Sequence, residues 1–297
     1  MANPRIAAPV KRLTALSAMG TIVISLLASP LSASTGGVVS GASQQQRAPS
    51  NPFTASFVKQ LQLRDHTTID CAVMNLATGK TYSFTTGALP HYDASIVKLD
   101  VLETILATHQ SVVPSTWQPL ATSMIEDSDN NATTDLWEKI DGYSALTNYN
   151  NRLGLKHTVV EKLLSVKGFP WPAWGLTTTT AADQVRLVQQ IAESTGILTA
   201  TARRYAATLM ANVIASEDWG ITSGVSQGTT VSLKNGWLPI HGYTDWTVNS
   251  IGWIHGNGHD YIAAILTDGN ATMGYGQQTI ATISQQFWST QSSPQKS

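Results

Sequence analysis

The order of periodic segments along the chain is the feature that most restricts how it can fold. Two stretches with strand-like composition, 69–74 and 81–84, flank the turn residues Thr78 and Gly79 and predict a β-hairpin. A long stretch with helical spacing follows, up to about residue 214, and strand patterns return after it. This order predicts an α+β fold in which both ends of the chain build an antiparallel sheet and a helical lobe is inserted between them.

The individual segments can be placed from the same pattern. A helix is predicted to begin after Asp93, as a possible N-cap, and a final amphipathic helix places Ile280, Ile283 and Phe287 on one face. The other predicted helices are 53–63, 130–140, 145–153, 181–192 and 198–214, and the later strands are 230–234, 247–254 and 261–267. The sheet lobe is therefore expected over about 53–90 and 215–290, flanked by helices, and the helical lobe over about 91–214.

The N-terminal segment has the features of a targeting sequence. A basic start that includes Arg5 and Arg12 precedes an apolar stretch, and small residues follow near Ala33. The pattern predicts a signal peptide over 1–33, a flexible linker over 34–52 and one folded domain over 53–297. An uncleaved membrane anchor is the alternative, because the apolar stretch approaches the ~18–20 residues that span a bilayer. In either case we expect the domain outside the cytoplasm, secreted or associated with the cell envelope.

Charge and cysteine content exclude several classes of function. The chain has 18 Lys and Arg against 19 Asp and Glu, so it carries no basic excess that would attract nucleic acid. The single cysteine, Cys71, excludes an internal disulfide and a zinc site built from cysteines. The histidines show no metal-ligand spacing. We therefore expect that the protein needs no metal or other cofactor. Separately, we expect a monomer.

The first motif with chemical meaning is Ser95-Ile96-Val97-Lys98, at the start of a predicted helix. Residues three apart lie on one helix face, so Lys98 would lie one turn behind the hydroxyl of Ser95. A partly buried lysine can lose its proton and act as a base, and the helix N-terminus offers N–H groups to an oxyanion. Taken alone the motif is weak, because a serine and a lysine at this spacing are common on helices.

Two further motifs follow along the chain. Ser128-Asp129-Asn130 brings together a hydroxyl and an amide that can pass a proton and hold a substrate amide, although a plain helix cap is the alternative. Lys234-Asn235-Gly236 ends a predicted strand, where a lysine can hold a substrate carboxylate and a glycine lets substrate backbone approach. An ordinary strand end is the alternative there.

All three motifs in this order resemble the signature of class A β-lactamases and penicillin-binding proteins. The chain is similar to the β-lactamase-like serine hydrolases that actinobacteria export, over about 53–288, including the hairpin 70–80 and Leu153-Gly154-Leu155. The resemblance implies a β-lactamase/transpeptidase-like fold. It also implies a small-molecule β-lactam or a peptidoglycan-like peptide as the ligand.

The resemblance assigns a role to each motif residue. The implied catalytic residues are the nucleophile Ser95, the base Lys98, the proton-relay Ser128 and Lys234. The implied substrate-binding residues are Asn130, Asn235, Gly236 and Trp237, the last through a backbone N–H that would complete the oxyanion site beside that of Ser95.

The chain also departs from the family pattern at several positions. Asn235 stands where the family has Thr or Ser, and Asn249 and Ser250 stand where an arginine is expected on the neighbouring strand. Leu164 falls where the family places its deacylating Glu, and Glu161, the nearest acid, is either a displaced base or a solvated charge. We also expect the Pro- and Trp-rich segment 168–175 to form a rigid apolar wall under the site.

These observations predict an exported serine hydrolase that forms an acyl-enzyme on Ser95 and hydrolyses β-lactams weakly. Two alternatives stay open at this point. One is a DD-peptidase or transferase acting on peptidoglycan-type peptides, and the other is a noncatalytic protein that binds a β-lactam or a peptide.

Overall fold

The computed structural model describes residues 48–64, 66–109, 111–240 and 245–292. The predicted signal peptide and most of the predicted linker lie outside the described residues. The last part of that linker is described and contacts the C-terminal helix, because Ser50 N donates to Thr290 O at 2.9 Å and Gln291 Nε2 donates to Ser50 O at 2.9 Å. No helix in the described part of the chain is long and apolar enough to cross a membrane.

The centre of the fold is an antiparallel sheet of five strands in the order β2-β1-β7-β6-β5. Its strands are β1 Thr68–Asn75, β2 Lys80–Thr85, β5 Thr230–Ile240, β6 Asp245–Gly256 and β7 His259–Asn270. A small second sheet pairs β3 His91–Tyr92 with β4 Thr178–Thr179. The first and last parts of the chain thus build one sheet, which confirms the predicted α+β class.

Helices cover both faces of this sheet. They are α1 Ala55–Gln62, α2 Val97–Thr108, α3 Gln118–Glu126, α4 Asn130–Lys139, α5 Gly142–Leu153, α6 Ala181–Ala192, α7 Ala200–Ala211 and α8 Met273–Thr290. The predicted face of α8 is confirmed, since Ile280, Ile283 and Phe287 are fully buried in a core with β1 and β7. The opposite face of the sheet forms a second core with the helices between β2 and β5.

Strand β5 is longer than its sequence predicts. The sequence places its end near Lys234, whereas the strand runs on through Pro239 to Ile240. Proline removes a backbone donor and is tolerated on an edge strand, and β5 is an edge of the sheet. The extension carries Lys234, Asn235, Gly236 and Trp237 along one continuous strand.

Helix α2 runs through the interior of the molecule. Ten of its 12 residues are buried, including the charged side chains of Lys98, Asp100 and Glu103. Asn150 Nδ2 donates to Asp100 Oδ2 at 2.7 Å, and the Tyr149 hydroxyl donates to Glu103 Oε2 at 2.9 Å, which ties α2 to α5. These buried bonds fix the helix that carries Lys98.

Candidate active site

Ser95 lies in a 3₁₀ turn, Ala94–Ile96, which leads directly into α2. The preceding residue, Ala94, has a φ of 50°, a left-handed conformation that costs energy for a residue with a Cβ. Asp93 occupies the N-cap position but its side chain makes no capping bond, so the predicted capping role is wrong. Its carboxylate is fully buried, and burial raises its pKa well above the ordinary value.

The turn opens onto a cavity of about 390 Å³ between the sheet lobe and the helical lobe. Motif residues that line it are Ser95, Ser128, Asn130 and Trp237. A volume of this size suits a small ligand or the end of a peptide.

Gly236 lets strand β5 pack directly against the Ser95 turn. A Cβ atom at this position would lie 2.7 Å from Ser95 N, 2.8 Å from Ile96 N and 2.9 Å from Asp93 O. Carbon atoms in ordinary contact stay about 3.5–4.0 Å apart, so only glycine fits without a shift of the backbone. Glycine is therefore required here because β5 and the Ser95 turn approach each other closely. This approach brings Trp237 beside the start of α2.

Lys98 is fully buried, and its ammonium group is surrounded by residues of the second motif. Nζ lies 2.5 Å from Ser128 O, 3.1 Å from Ser128 Oγ and 2.8 Å from Asn130 Oδ1. The ring of Trp174 lies 5.2 Å from the same nitrogen. Burial lowers the pKa of Lys98 well below its ordinary value, and the nearby charge of Lys234 lowers it further.

In the second motif, Ser128 and Asn130 contact the buried Lys98, whereas Asp129 has a structural role. Ser128 has a φ of 56°, and this left-handed backbone is followed by α4, which starts at Asn130. Asp129 caps that helix by accepting from Ala132 N at 2.6 Å. The cap that the sequence offered as an alternative is therefore present, but it is made by Asp129, and both Ser128 and Asn130 contact Lys98.

Lys234 reaches the same hydroxyl from the opposite lobe. Its Nζ donates to Ser128 Oγ at 2.9 Å and to Asn235 O at 3.0 Å. The side chain is fully buried, and burial lowers its pKa to about 8, an effect that the charge of Glu217 opposes. The hydroxyl of Ser128 thus bridges two buried lysines that are 136 positions apart in sequence, Lys98 and Lys234.

Asn235 is fully buried and its amide points away from the cavity. Nδ2 donates to the backbone O of Glu217 at 2.7 Å and to that of Trp219 at 3.0 Å. We therefore assign this side chain a positioning role. Asn249 is also structural, because its Nδ2 donates to the carbonyls of Tyr92 and Asp93 and holds the chain that leads into the Ser95 turn.

Glu217 is the cavity residue that sequence reasoning missed. It is 5% exposed and lines the cavity, and its Oε2 lies 4.0 Å from Lys234 Nζ. This oxygen has no hydrogen-bond partner among the described residues. Burial raises the pKa of Glu217, and the charges of Lys234 and Lys98 act against that rise. No motif marks the residue; the acid stands in an irregular segment that only the fold brings to Lys234.

The Pro- and Trp-rich segment lines the cavity as predicted. Trp171, Pro172, Trp174 and Gly175 form this wall, and Trp174 Nε1 donates to Thr134 Oγ1 at 3.1 Å. Leu164 is 41% exposed, and it is not one of the described residues that line the cavity.

Glu161 lies outside the cavity as well. Its Oε1 accepts from Leu163 N at 2.8 Å, a bond within its own turn, and its backbone N donates to Thr177 Oγ1. No contact among the described residues therefore supports the hypothesis that Glu161 is a deacylating base. Among the described residues, no group of three or more His, Cys, Asp or Glu side chains could hold a metal ion.

Several solved structures of other proteins have a fold similar to that of this chain. PBP-A superposes with a TM-score of 0.65 at 18% identity, covering 82% of this chain and 97% of that one. A leucine-to-glutamate mutant of PBP-A, in an acyl-enzyme complex with penicillin G, gives 0.63 at 19% identity, with 80% and 97% covered. A β-lactamase from Streptosporangium roseum gives 0.65 at 19% identity, with 78% and 96% covered. At these identities the likeness concerns the fold.

Sequence comparison defines the family. No curated protein matches the chain. A family model described as the β-lactamase enzyme family matches residues 100–291, which is well over half of the 297 residues. The chain therefore belongs to the β-lactamase enzyme family.

Proposed function

We propose that this protein is an exported serine hydrolase that forms an acyl-enzyme on Ser95 and turns over β-lactams weakly. The observation that carries the proposal is the position of Ser128 Oγ, 3.1 Å from Lys98 Nζ and 2.9 Å from Lys234 Nζ. Three motifs that are distant in sequence thus converge on one hydroxyl beside the cavity. A structural role for each motif would not require two buried lysines to share one hydroxyl.

Acylation would begin with proton transfer from Ser95 to Lys98. The two residues lie one helical turn apart, and the lowered pKa of Lys98 makes its neutral amine available as a base. Ser95 Oγ bonds to the acyl carbon while its proton moves to Nζ. The three acceptors at 2.5, 2.8 and 3.1 Å then stabilise the ammonium that forms.

The leaving nitrogen needs a proton when its bond to the acyl carbon breaks. Ser128 is placed to donate it and to be reprotonated by Lys98, which returns to the neutral amine. The net change is an acyl group on Ser95 and a proton on the leaving nitrogen. The backbone N–H groups of Ser95 and Trp237 are the proposed oxyanion donors, and the close packing of Gly236 supports their proximity.

Deacylation by water is the step that we expect to be slow. The wall under Ser95 consists of Trp171, Pro172, Trp174 and Gly175, and none of these carries a carboxylate. Because Glu161 bonds within its own turn, no carboxylate in the described part of the chain is placed to activate water from this wall. General-base assistance is worth about 10²–10⁴-fold, so its loss would leave a persistent acyl-enzyme.

The same wall favours a second candidate function, a DD-peptidase or transferase acting on peptidoglycan-type peptides. An acyl-enzyme that water attacks slowly can pass its acyl group to an amine. The substrate would then be a peptide, and an amine would be the acceptor of the acyl group. Export follows from the predicted signal peptide, and the ligand is expected to be a small β-lactam or such a peptide.

Intact-protein mass spectrometry during incubation with benzylpenicillin tests the proposal. We expect an adduct that carries the mass of the penicillin, forms within minutes at millimolar concentration and decays over hours. Ser95→Ala should form none, while Ser289→Ala, on the exposed side of α8, should behave as wild type. An adduct of equal yield in Ser95→Ala would contradict the proposal. A folded wild-type protein that forms no adduct with benzylpenicillin or with a fluorophosphonate would favour the noncatalytic binding protein.

A further inference from the structure

The end of the cavity beside Lys234 carries an unexpected charge. In the resemblance described above, this lysine holds a substrate carboxylate, which requires a local positive charge. Here the carboxylate of Glu217, a residue that lines the cavity, lies 4.0 Å from the Nζ of the buried Lys234. Whether the proton resides on the lysine or the acid, the net charge of the pair is zero.

Lys98, whose charge also acts on Glu217, serves as a neutral base in the proposed reaction, so it does not restore a positive charge at this end. No arginine lines the cavity among the described residues, and the second acid that does so is Asp127. Ser250, at the position where an arginine was expected, accepts a hydrogen bond from Ile221 N at 3.0 Å. A substrate carboxylate placed here would therefore meet no net positive charge, and it would contact the acid as well as the lysine, which disfavours binding.

The pair is complementary to a different group. Lys234 Nζ is a hydrogen-bond donor, and Glu217 Oε2 is a buried acceptor without a hydrogen-bond partner in the described part of the chain. A carboxamide offers an oxygen to the donor and an N–H to the acceptor. A carboxylate has no N–H to offer, and an ammonium has no acceptor for Lys234.

Glu217 is also held in place by its neighbours. Asn235 Nδ2 donates to the backbone carbonyls of Glu217 and Trp219, so the residue that replaces the family's Thr or Ser anchors the acid-bearing turn. Gly220 completes the contact, because a Cβ there would lie 2.3 Å from Ser250 Oγ. The departures at Asn235 and Ser250 thus both contact the segment that carries Glu217.

We propose that Glu217, paired with Lys234, selects acyl donors that present a carboxamide, in place of a carboxylate, at this end of the cleft. The inference rests on the proposed function, since it concerns the substrate of the Ser95 acyl transfer. It identifies the substrate class as amidated peptides or their ester and thioester analogues.

A matched pair of thioesters tests the inference. Hippuryl thioglycolate and hippuryl thioglycolamide differ only in a terminal carboxylate or carboxamide. Ser95 Oγ would bond to the acyl carbon, the C–S bond would break, the released thiol would take the proton, and water would then cleave the ester. Thiol release measured with a disulfide reagent gives kcat/KM for each compound.

We expect wild type to prefer the carboxamide by about tenfold or more, since like-charge contacts in partly buried sites cost several times the thermal energy. Glu217→Gln should reverse the preference. Asp218→Asn removes the same charge one residue away on an exposed side chain and should leave the ratio unchanged. Because the wild-type ratio alone is informative, the test does not depend on the fold of any variant.

Two results would overturn the inference in distinguishable ways. Ser95-dependent hydrolysis with a wild-type preference for the carboxylate, unchanged in Glu217→Gln, would reject carboxamide selection while leaving the proposed function intact. Hydrolysis of both thioesters at the rate of Ser95→Ala would reject the proposed function and the inference together.

Discussion

Replacement of Gly236 by alanine tests the close approach on which the geometry of the site depends. The added Cβ would meet the backbone N of Ser95 at 2.7 Å, that of Ile96 at 2.8 Å and the carbonyl O of Asp93 at 2.9 Å. All three partners are backbone atoms and cannot rotate away. Since ordinary contacts require about 3.5 Å or more, β5 and the Ser95 turn must separate by roughly 1 Å.

The cost of that separation can be estimated. Overpacking of a dense interior costs about 1–3 kcal/mol, and each kcal/mol lowers Tm by about 2–4 °C in a domain of this size. We therefore expect Gly236→Ala to lower Tm by about 2–12 °C. A displacement of about 1 Å at a reacting group costs about 10²-fold in rate, so acylation of Ser95 should fall by about that factor.

The matched control is Gly274→Ala in the first turn of α8. This glycine is exposed, and the nearest atom to a Cβ placed there is Thr272 Oγ1 at 4.0 Å. Alanine should leave Tm unchanged or raise it slightly, because it is the better helix former. Calorimetry gives Tm, and the rate of labelling by a fluorophosphonate gives acylation. Equal Tm and equal labelling rates in the two variants would refute the reasoning from close approach.

Three further predictions follow from the buried charges and the cavity wall. Lys98→Arg should abolish acylation because arginine does not lose its proton, whereas Lys234→Arg should keep part of it; equal losses in a labelling assay would contradict the division of roles. Glu161→Gln should leave the lifetime of a penicillin adduct unchanged, because the carboxylate of Glu161 bonds within its own turn; trapping of the adduct in Glu161→Gln, against rapid wild-type turnover, would make Glu161 the deacylating base. Burial raises the pKa of Asp100 from 3.8 to about 7, so the folded state binds more protons than the unfolded state between these values and Asp100 contributes less stability as pH rises through them. The effect of Asp100→Asn on the free energy of unfolding should therefore be more favourable at pH 8.5 than at pH 4.5 by about 1–4 kcal/mol, as measured by urea unfolding, and an equal effect at both pH values would contradict a charged Asp100 in the native protein.

The parts of the structure that the sequence predicts are those with local signals. The hairpin, the buried face of α8 and the order of strands and helices follow from periodicity. The predicted end of β5 near Lys234 was wrong, since the strand continues through Pro239, which an edge strand tolerates, and the edge position is set by the tertiary fold. Helix α3 was not among the predicted segments.

In the candidate site, too, the sequence predicts only the residues that carry a local motif. Ser95, Lys98 and Ser128 carry motif signals, and the structure places them in one region. Glu217 carries none, because its meaning depends on a contact with Lys234 that is made only by the tertiary fold. Asn235 could be recognised as a departure from the family pattern, but not as an anchor for that acid.

The attachment site of a fluorophosphonate, mapped by peptide mass spectrometry of the labelled protein, tests the central claim most directly. This reagent phosphonylates activated serines and carries no carboxylate, so its reaction does not depend on the charge of Glu217. The account predicts one adduct, on the peptide that contains Ser95, and a labelling rate at least about 10²-fold lower in Lys98→Arg. An adduct on Ser128 or another serine, or none on a folded wild-type protein, would contradict it.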